Sequence, residues 1–239
     1  MKDKTKKAFD YAGSKGGLYD DIITGTGFIG SIVSNVIWKM DKNKDREYQR
    51  LATRPIPDGF SGKLLEVPVG TGILTMPIYK DLTGADITCL DYSNEMMSHA
   101  EKRAKDMDIK NISFCQGDVG KLPFEDNTFD IVLSMNGLHV FPDKDAAFSE
   151  LYRVLKPGGT FCGCTYIEGE CKRTDWFIKT SYVPKGYFNP PFDTKDSLLN
   201  RLQNMYTTAK VETVLSEGCF ECVKSGMENG SEKADNKRI

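Results

Sequence analysis

The stretch that decides the fold is Lys63-Leu-Leu-Glu-Val-Pro-Val-Gly-Thr-Gly72, where an apolar segment with a carboxylate runs into a glycine-rich turn. Residues 64 to 67 predict the first strand of an open α/β sheet. Gly70 and Gly72 predict the turn that follows, and the next helix is expected to begin near Ile73. Ligands bind just beyond the carboxyl ends of such strands, so we expect a binding site at this turn.

The acidic residue in this stretch indicates which kind of ligand fits. The pyrophosphate of a dinucleotide would lie against the turn and the positive end of the next helix, where the carboxylate of Glu66 would repel it. A ligand that carries an ammonium and a sulfonium would instead be attracted by that carboxylate. S-adenosylmethionine is such a ligand and has no phosphate chain, so we expect it as the cofactor, with S-adenosylhomocysteine as the product.

Further strands are predicted to end in polar residues at the same edge of the sheet. Residues 86 to 90 form the second strand, and Asp91 follows about twenty residues after the glycines, where a carboxylate can accept hydrogen bonds from both ribose hydroxyls. Ser93 is the expected N-cap of the next helix. The third and fourth strands, residues 112 to 115 and 129 to 133, run into Gln116-Gly-Asp-Val119 and Ser134-Met-Asn-Gly137.

Residues 62 to 166 resemble a class I S-adenosylmethionine-dependent methyltransferase of the small-molecule type 11 group. The resemblance is carried, in chain order, by LEVPVGTG, LDYSNEMM, GDVGKLPFEDNTFD, SMNGLH and ELYRVLKPGG. Each piece is weak alone, whereas their order and spacing together are specific. The resemblance implies an α/β fold with a single Rossmann-like seven-stranded, mostly parallel sheet, an antiparallel last strand, helices on both faces, and a helical and aromatic cap. It also implies methyl transfer to a small-molecule acceptor.

The resemblance assigns the methionine end and the ribose of the cofactor to the first two strand ends. Glu66 and the turn from Gly70 to Gly72 would hold the methionine end, and Asp91 would bind the ribose. Pro68 departs from the family pattern, which usually has glycine at this position. Proline fixes φ and removes a backbone donor, although it is sterically tolerated at the end of a strand, so the cofactor prediction stands.

The later strand ends are assigned to the adenine and the methyl donor. By the resemblance, Tyr92 and Met96 would flank the adenine, and Asp118 would accept a hydrogen bond from its amino group. Ser134 and Met135 would line the floor beneath the methyl donor. The complete set of cofactor-binding residues implied in this way is Glu66, Val67, Pro68, Gly70, Thr71, Gly72, Asp91, Tyr92, Met96, Asp118, Val119, Ser134 and Met135.

A competing motif occurs earlier, in Thr24-Gly-Thr-Gly-Phe-Ile-Gly30, which matches the G-x-G-x-x-G pattern of NAD-binding proteins. The residues before it, Leu18-Tyr-Asp-Asp-Ile-Ile23, contain two carboxylates where a buried parallel strand would be apolar. We therefore expect a glycine turn that leads into an apolar helix over residues 28 to 40. An NAD-binding oxidoreductase is retained as the third functional hypothesis.

Length, charge and hydropathy limit the remaining classes of function. The 239 residues are sufficient for one large domain with a substantial core. A net charge of -2 gives no electrostatic reason to expect nucleic acid as a partner. No apolar run reaches membrane-spanning length, and the lysine-rich N-terminus lacks the apolar region of a secretory signal, so a cytoplasmic protein is expected.

The seven cysteines are scattered along the chain, and several fall within predicted strands. Reduced thiols in the core are the expected state. Cys219-Phe-Glu-Cys222 matches C-x-x-C, but a zinc site would need a second pair with suitable spacing, which the sequence lacks. No metal site is predicted.

The chain is predicted to have three parts. Residues 1 to 60 form an N-terminal helical lid, with a loose lysine-rich start over residues 1 to 7 and helices over residues 28 to 40 and 44 to 52. Residues 61 to 224 form the cofactor-binding domain, with a cap at about residues 170 to 192. Residues 225 to 239 are polar and expected to be disordered.

Within the second half of the domain, a helix in residues 150 to 159 is expected to be closed by a proline and two glycines before a fifth strand, residues 159 to 166. A helix over residues 194 to 205 follows the cap. Two strands, residues 210 to 215 and 219 to 224, are expected to form a hairpin joined at Glu217-Gly218.

The substrate side offers one catalytic candidate, His139, which follows the fourth strand beside the expected methyl position. It could deprotonate a phenol, enol or amine, or it could make a structural hydrogen bond where a helix begins. Methyl transfer needs mainly an in-line approach and the exclusion of water, so a dedicated base is often unnecessary. Tyr11 and Tyr19 could fold over the cofactor, as the resemblance suggests, or pack within the lid.

Two questions stay open at the level of sequence. The aromatic segment from Trp176 to Phe192 could line an acceptor pocket or simply pack on the sheet, since both environments have this composition. The acceptor atom could be carbon, nitrogen or oxygen. The alternative function from another class is a non-catalytic or regulatory protein that binds an S-adenosyl ligand, which is favoured if Pro68 spoils the turn or if the cap leaves no acceptor pocket.

Overall fold

The computed structural model describes residues 2–226, and within them the chain forms one seven-stranded sheet. The strands are β1 Lys63–Glu66, β2 Asp86–Asp91, β3 Ile112–Gln116, β4 Phe129–Met135, β5 Leu155–Tyr166, β6 Thr208–Val214 and β7 Glu217–Val223. Their order across the sheet is β3-β2-β1-β4-β5-β7-β6. Among these strands, β7 alone points in the opposite direction, because it pairs antiparallel with both β5 and β6. The predicted mostly parallel sheet with an antiparallel last strand is confirmed.

Helices cover both faces of the sheet. Those assigned within the described residues are α1 Lys2–Ser14, α2 Gly16–Thr24, α3 Gly27–Ile32, α4 Lys42–Thr53, α5 Met76–Tyr79, α6 Asn94–Asp106, α7 Lys144–Val154, α8 Lys172–Phe177 and α9 Lys195–Met205. Two π-helical segments, Val33–Trp38 and Ile178–Tyr182, continue directly from α3 and α8.

The core has two apolar layers, one on each side of the sheet. Val132 of β4 packs in one layer with α7 and α9, whereas its neighbours Ile131 and Leu133 pack in the other with α4 and α6. This alternation follows from the two-residue period of a strand. The central strands are buried on both faces, which is why the predicted strands in residues 64 to 67 and 129 to 133 read as nearly continuous apolar runs.

The N-terminal segment corrects one prediction. Residues 2 to 7 are helical and belong to α1, where a loose start was expected. The lysines made the segment look solvated, but Thr5, Ala8 and Ala12 of the same helix are buried, and α1 packs on α6. Burial of this one helix face stabilises a segment of unfavourable mean composition.

The competing glycine motif does not follow a strand. Residues 18 to 23 lie in α2, Gly25 caps that helix in the left-handed region at φ +63°, and α3 begins at Gly27. At Gly30 a Cβ atom would lie 1.9 Å from the carbonyl oxygen of Asp21, so this glycine permits close contact between α2 and α3. The motif therefore forms the turn between two packed helices. A dinucleotide site requires a strand before the glycines, and the structure has a helix at that position.

The C-terminal hairpin is present, but its turn is displaced from the predicted position. Val214 pairs with Glu217, so the turn consists of Leu215 and Ser216, and Glu217 and Gly218 lie in β7. Leu215 adopts a left-handed φ of +54°, which a sequence rule does not expect of leucine. Helix α7 also ends at Val154, earlier than predicted, and the proline and glycines that follow lie within β5.

The seven cysteines occur as free thiols, as the sequence analysis expected, and five of them are buried. Cys219 and Cys222 belong to different core layers on opposite faces of β7, so they do not form a redox or metal pair. The described residues contain no cluster of His, Cys, Asp and Glu suited to a metal ion. Across the same residues, every helix is too short or too polar to span a bilayer.

Candidate functional site

A narrow cavity of about 120 Å³ lies at the carboxyl ends of β1, β2 and β4, and helices α1 and α2 cover it. Eleven of the thirteen predicted cofactor-binding residues line this cavity. They are Glu66, Val67, Pro68, Gly70, Thr71, Gly72, Asp91, Tyr92, Asp118, Val119 and Met135. The residues predicted from the sequence therefore line one cavity, and their role in binding stays a prediction.

The glycine turn is tied to the end of β2. Gly70 and Gly72 have φ angles of +57° and +69°, in the region that glycine adopts without a steric penalty. The Gly70 amide donates a 2.8 Å hydrogen bond to Asp91 Oδ2, and the Ser93 amide donates one of 2.8 Å to Asp91 Oδ1. The Asp91 carboxylate thus fixes the turn after β1 and the start of α6. Ser93 Oγ accepts a hydrogen bond from the Met96 amide, which confirms the predicted N-cap.

Glu66 lies beneath the turn and is almost fully buried, with 1% of its surface exposed. Its Oε2 accepts hydrogen bonds from Thr75 Oγ1 at 3.0 Å and from Tyr79 Oη at 2.9 Å. Burial raises the pKa of Glu66 to about 8, although these donors oppose the rise. Burial also raises the pKa of Asp91 to about 6 against its backbone donors. A cation in the cavity would favour the ionised form of both groups.

Asp118 is engaged by the N-terminal helix. Its Oδ2 accepts a 2.5 Å hydrogen bond from Lys2 Nζ, and its Oδ1 accepts one of 2.9 Å from the Gly120 amide. Partial burial raises the pKa of Asp118, but the contact with Lys2 and the backbone donor outweigh it, so the pKa is lowered. The carboxylate that the resemblance assigns to the adenine amino group is therefore partnered by Lys2 in this conformation.

Two predicted residues do not line the cavity. Met96 is 1% exposed at the first turn of α6, and Ser134 is fully buried in β4. Ser134 lies under Gly137, where a Cβ atom would come within 2.4 Å of both Ser134 Oγ and Pro68 Cδ. Pro68 therefore packs against a glycine in the loop after β4. The turn itself keeps its left-handed glycines with this proline in place.

Polar contacts fasten the lid helices to the loops of the cavity. Asp20 of α2 accepts hydrogen bonds from Thr71 Oγ1 at 2.5 Å and from Arg103 Nη2 at 2.7 Å. Asp10 of α1 accepts one from Ser93 Oγ at 2.7 Å. The sequence analysis did not identify Asp10 or Asp20 as site residues, because nothing local marks a carboxylate whose partner lies far along the chain.

A second, larger cavity of about 370 Å³ adjoins the first. It is enclosed by the lid helices, α4, the loop after β4, the cap and the first residue of β7. The two cavities share Phe9, Tyr19, Ile23, Asn136 and Val140. The other lining residues of the second cavity are Tyr11, Ala12, Lys15, Leu18, Ile22, Ser34, Trp38, Met40, Asp45, Tyr48, His139, Tyr182, Lys185, Tyr187, Phe188 and Glu217.

Part of the aromatic segment lines this second cavity. Tyr182, Tyr187 and Phe188 line it, whereas Trp176 is 66% exposed and lies outside. Asn136, which the sequence analysis did not select, lies in both cavities with a left-handed φ of +55°. A polar residue directly after a strand was the available signal for it.

His139 lines the second cavity and not the first. Its Nδ1 accepts a 3.0 Å hydrogen bond from the Tyr166 amide, which places the ring proton on Nε2. The ring also lies against Phe188, with centroids 4.1 Å apart. Burial lowers the pKa of His139 to about 3, assisted by the charge of Lys144. Such a group is a poor proton acceptor at neutral pH, so the geometry favours the structural alternative for His139.

The charges of the first cavity fit a nucleoside with a cationic side chain. The carboxyl groups of Glu66 and Asp91 lie at the glycine turn. Lys2 and Lys6 also line the cavity, but each is paired with a carboxylate, at 2.5 and 2.6 Å. No arginine occurs among the described lining residues. The cavity thus offers a pyrophosphate no unpaired cation, and it offers carboxyl groups to an ammonium.

Comparisons with known proteins find methyltransferases among the relatives of this chain. A sequence model described as a methyltransferase domain matches residues 64–159. The chain is 32% identical over 147 residues to a ubiquinone/menaquinone biosynthesis C-methyltransferase of Rickettsia felis, covering 56% of this chain and 59% of that protein. It is 33% identical over 124 residues to a phosphatidylethanolamine N-methyltransferase of Cereibacter sphaeroides, covering 52% and 60%. The chain thus spans about three fifths of the length of these curated relatives.

The fold is also shared with a solved structure. A phosphoethanolamine N-methyltransferase 2 of Haemonchus contortus, solved with phosphomonomethylethanolamine and S-adenosylhomocysteine, superposes with a TM-score of 0.70 at 18% identity. The match covers 92% of this chain and 60% of that one. At this identity the likeness concerns the fold alone. Residues 64–159 are therefore similar in sequence to a methyltransferase domain, and the chain shares its fold with this enzyme.

Proposed function

We propose that this protein transfers a methyl group from S-adenosylmethionine to a small-molecule acceptor. The observation that carries this proposal is the pair of adjoining cavities at the carboxyl edge of the sheet. The first has the glycine turn and the carboxyl groups suited to the donor. The second has room for an acceptor and shares five lining residues with the first, so an acceptor can approach the donor from the second cavity.

Within the first cavity, Glu66 attracts the ammonium of the methionine end, and Asp91 accepts hydrogen bonds from the ribose hydroxyls. Tyr92, Asp118 and Val119 surround the adenine. Asp118 must exchange its contact with Lys2 for the adenine amino group. Met96 and Ser134 are buried beneath these loops, so they support the site without touching the ligand.

The bound sulfonium supplies an activated methyl group and a good leaving group. The chain's own residues then have to align the acceptor and exclude water. The lid helices and the cap enclose the second cavity on the side away from the sheet. Tyr19 and Asn136 lie in both cavities, at the junction where the two molecules would meet.

The lid must open to admit the donor. The first cavity measures about 120 Å³ with the lid helices seated, whereas pockets for drug-sized ligands are roughly 300 Å³ or more. We propose that α1 and α2 move away and close again over the bound donor. The contacts of Asp10 and Asp20 with the cavity loops are the ones that would break and re-form.

The relatives differ in their acceptors, since the names of two of them specify carbon and nitrogen methylation. They support a small-molecule acceptor. The chemical class of that acceptor has to be inferred from the second cavity of this chain. The alternative of a non-catalytic S-adenosyl binder is disfavoured by the presence of that cavity. We further propose a cytoplasmic location, supported by the seven free thiols.

The experiment that tests this function combines binding and turnover. S-adenosylhomocysteine is titrated into the protein by calorimetry, and methyl transfer to pooled small molecules is followed by release of S-adenosylhomocysteine. Binding with turnover on at least one pool supports the enzyme. Binding without turnover on any pool supports the non-catalytic alternative, and binding of NAD alone overturns both.

A further inference from the structure

The second cavity contains a buried carboxyl group that the proposed reaction has not used. Glu217, the first residue of β7, lines the cavity and is 6% exposed. Its Oε2 is buried and has no hydrogen-bond partner among the described residues. An unpartnered buried carboxyl oxygen is costly, so it requires a compensating role.

Within residues 2–226, no lysine, arginine or histidine forms an ion pair with Glu217. Asp45 and Tyr48 of α4 face it from above the sheet, and the thiols of Cys164 and Cys219 lie on its own face of the sheet. Burial, together with the charge of nearby Asp45, raises the pKa of Glu217 to about 8. The site therefore stabilises the protonated acid until a cation arrives.

Part of the remaining wall of the cavity is aromatic. Trp38, Tyr48, Tyr182 and Phe188 line it together with Glu217. Aromatic faces attract cations through their quadrupoles, most strongly where water is excluded. Lys15 and Lys185 also line the cavity, but both are exposed, so their charges are solvated. A carboxyl group within an aromatic enclosure is the chemistry that recognises an amine.

We propose that the acceptor is a basic amine, held in the second cavity with its nitrogen against Glu217 and Asp45, and that the reaction is N-methylation. This inference rests on the proposed function and names its substrate class. A neutral quinol or a phenol would leave the buried Glu217 oxygen without a charged partner. An anionic acceptor would be repelled by both carboxyl groups.

Glu217 also has a place in the chemistry of the step. A protonated amine has no free electron pair, so it must first lose one proton to the Glu217 carboxylate. The nitrogen lone pair then forms the N–C bond while the S–C bond of the donor breaks and its electron pair stays on sulfur. The products are the methylated ammonium and S-adenosylhomocysteine. Glu217 ends the step protonated, as it is in the empty cavity, and the one proton that the reaction releases is the one that Glu217 loses to solvent when the ammonium binds.

The test uses the full chain saturated with S-adenosylhomocysteine, so that binding is measured without turnover. The probes are 2-phenylethylamine and hexylamine, each matched with its neutral alcohol, 2-phenylethanol and 1-hexanol, and with the anion phenylacetate. Calorimetry in two buffers of different ionisation enthalpy reports affinity and proton transfer. The variants are Glu217→Gln and, as a matched control on the same strand, Glu221→Gln, whose side chain lies outside both cavities.

We expect at least one amine to bind roughly tenfold or more tightly than its alcohol, because charge-assisted hydrogen bonds are the strong ones. Glu217→Gln should remove that preference, and Glu221→Gln should keep it. Equal affinity for amine and alcohol, or a preference that survives Glu217→Gln, overturns the proposal. So does the failure of both amines to bind to a protein that binds S-adenosylhomocysteine.

The outcomes distinguish failure of this inference from failure of the proposed function on which it rests. Loss of S-adenosylhomocysteine binding in the unmodified protein would refute the proposed function itself. Thermal unfolding tests whether Glu217→Gln is folded, and Asp45→Asn provides a second variant at the same site. Turnover on pooled primary and secondary amines against pooled phenols and carboxylic acids gives the second readout, and transfer confined to the phenols or acids refutes N-methylation.

Discussion

Replacement of Asp91 by alanine is the perturbation that should weaken cofactor binding most selectively. Asp91 lies at the end of β2, lines the first cavity, and is 6% exposed. Its two oxygens accept 2.8 Å hydrogen bonds from the Gly70 and Ser93 amides, which leaves lone pairs on both oxygens for the ribose. Asp91→Ala therefore removes the proposed ribose contacts and also releases the turn that Gly70 begins.

The magnitude follows from the number and kind of these contacts. Two charge-assisted hydrogen bonds to the ribose contribute about 1.5–3 kcal/mol each before compensation by water. Allowing for water in the vacated space, we expect a net loss of about 2–4 kcal/mol. That loss corresponds to roughly a thirty- to a thousandfold increase in Kd for S-adenosylhomocysteine.

Calorimetric titration of both proteins with S-adenosylhomocysteine measures the difference. Asp86→Ala is the matched control, because Asp86 begins the same strand and is exposed away from the cavity. Thermal unfolding, read by circular dichroism, establishes the temperature range in which each variant is folded. A Kd within threefold of the unmodified value in folded Asp91→Ala would refute the ribose assignment.

Three further predictions concern the turn, the histidine and the buried acid. Gly70→Val should abolish binding, because valine resists φ of +57° and would crowd the ligand. Gly27→Val is strained by a similar φ of +63° but lies outside both cavities, so it should disturb only the N-terminal segment and leave the site itself intact; calorimetry showing the reverse would place the site at the competing motif. His139→Asn should lower turnover by less than about tenfold, since a ring with a pKa of about 3 is a poor base, and steady-state kinetics showing a loss of a hundredfold or more would restore the catalytic role. Glu66 has a folded-state pKa of about 8, above its value of 4.5 when solvated, so the folded protein holds a proton that the unfolded chain has lost between these values. The unfolding free energy should therefore fall, and the affinity for S-adenosylmethionine should rise, as pH increases toward 8. Glu66→Gln should reduce the slope of both curves in denaturation and titration experiments, while Glu217 and Asp91, whose pKa values are also raised, still contribute to the slope of the first.

The sheet and its ligand edge could be predicted because their signals are local. Apolar runs that end in polar residues mark β1, β2 and β4, and left-handed glycines mark the turn. The position of Asp91 relative to the glycines follows from the regular length of a strand–helix–strand unit. Eleven predicted residues consequently line one cavity.

The lid and the second cavity could not be predicted in the same way. Helix α1 is stabilised by packing on α6 and by pairs such as Lys2 with Asp118, whose members are far apart in the sequence. Glu217 was expected in a turn because glycine follows it, and only the pairing of Val214 with Glu217 places it in a strand facing the cavity. Long-range contacts of this kind leave no periodic trace in the sequence.

The measurement that tests the central claim most directly is a calorimetric titration of the unmodified protein with S-adenosylhomocysteine and, separately, with NAD. The account predicts saturable binding of S-adenosylhomocysteine at one site per chain, because Glu66 and Asp91 suit a nucleoside with an ammonium and no phosphate. It predicts no heat of binding for NAD. Saturable binding of NAD, or the absence of S-adenosylhomocysteine binding by folded protein, would contradict it.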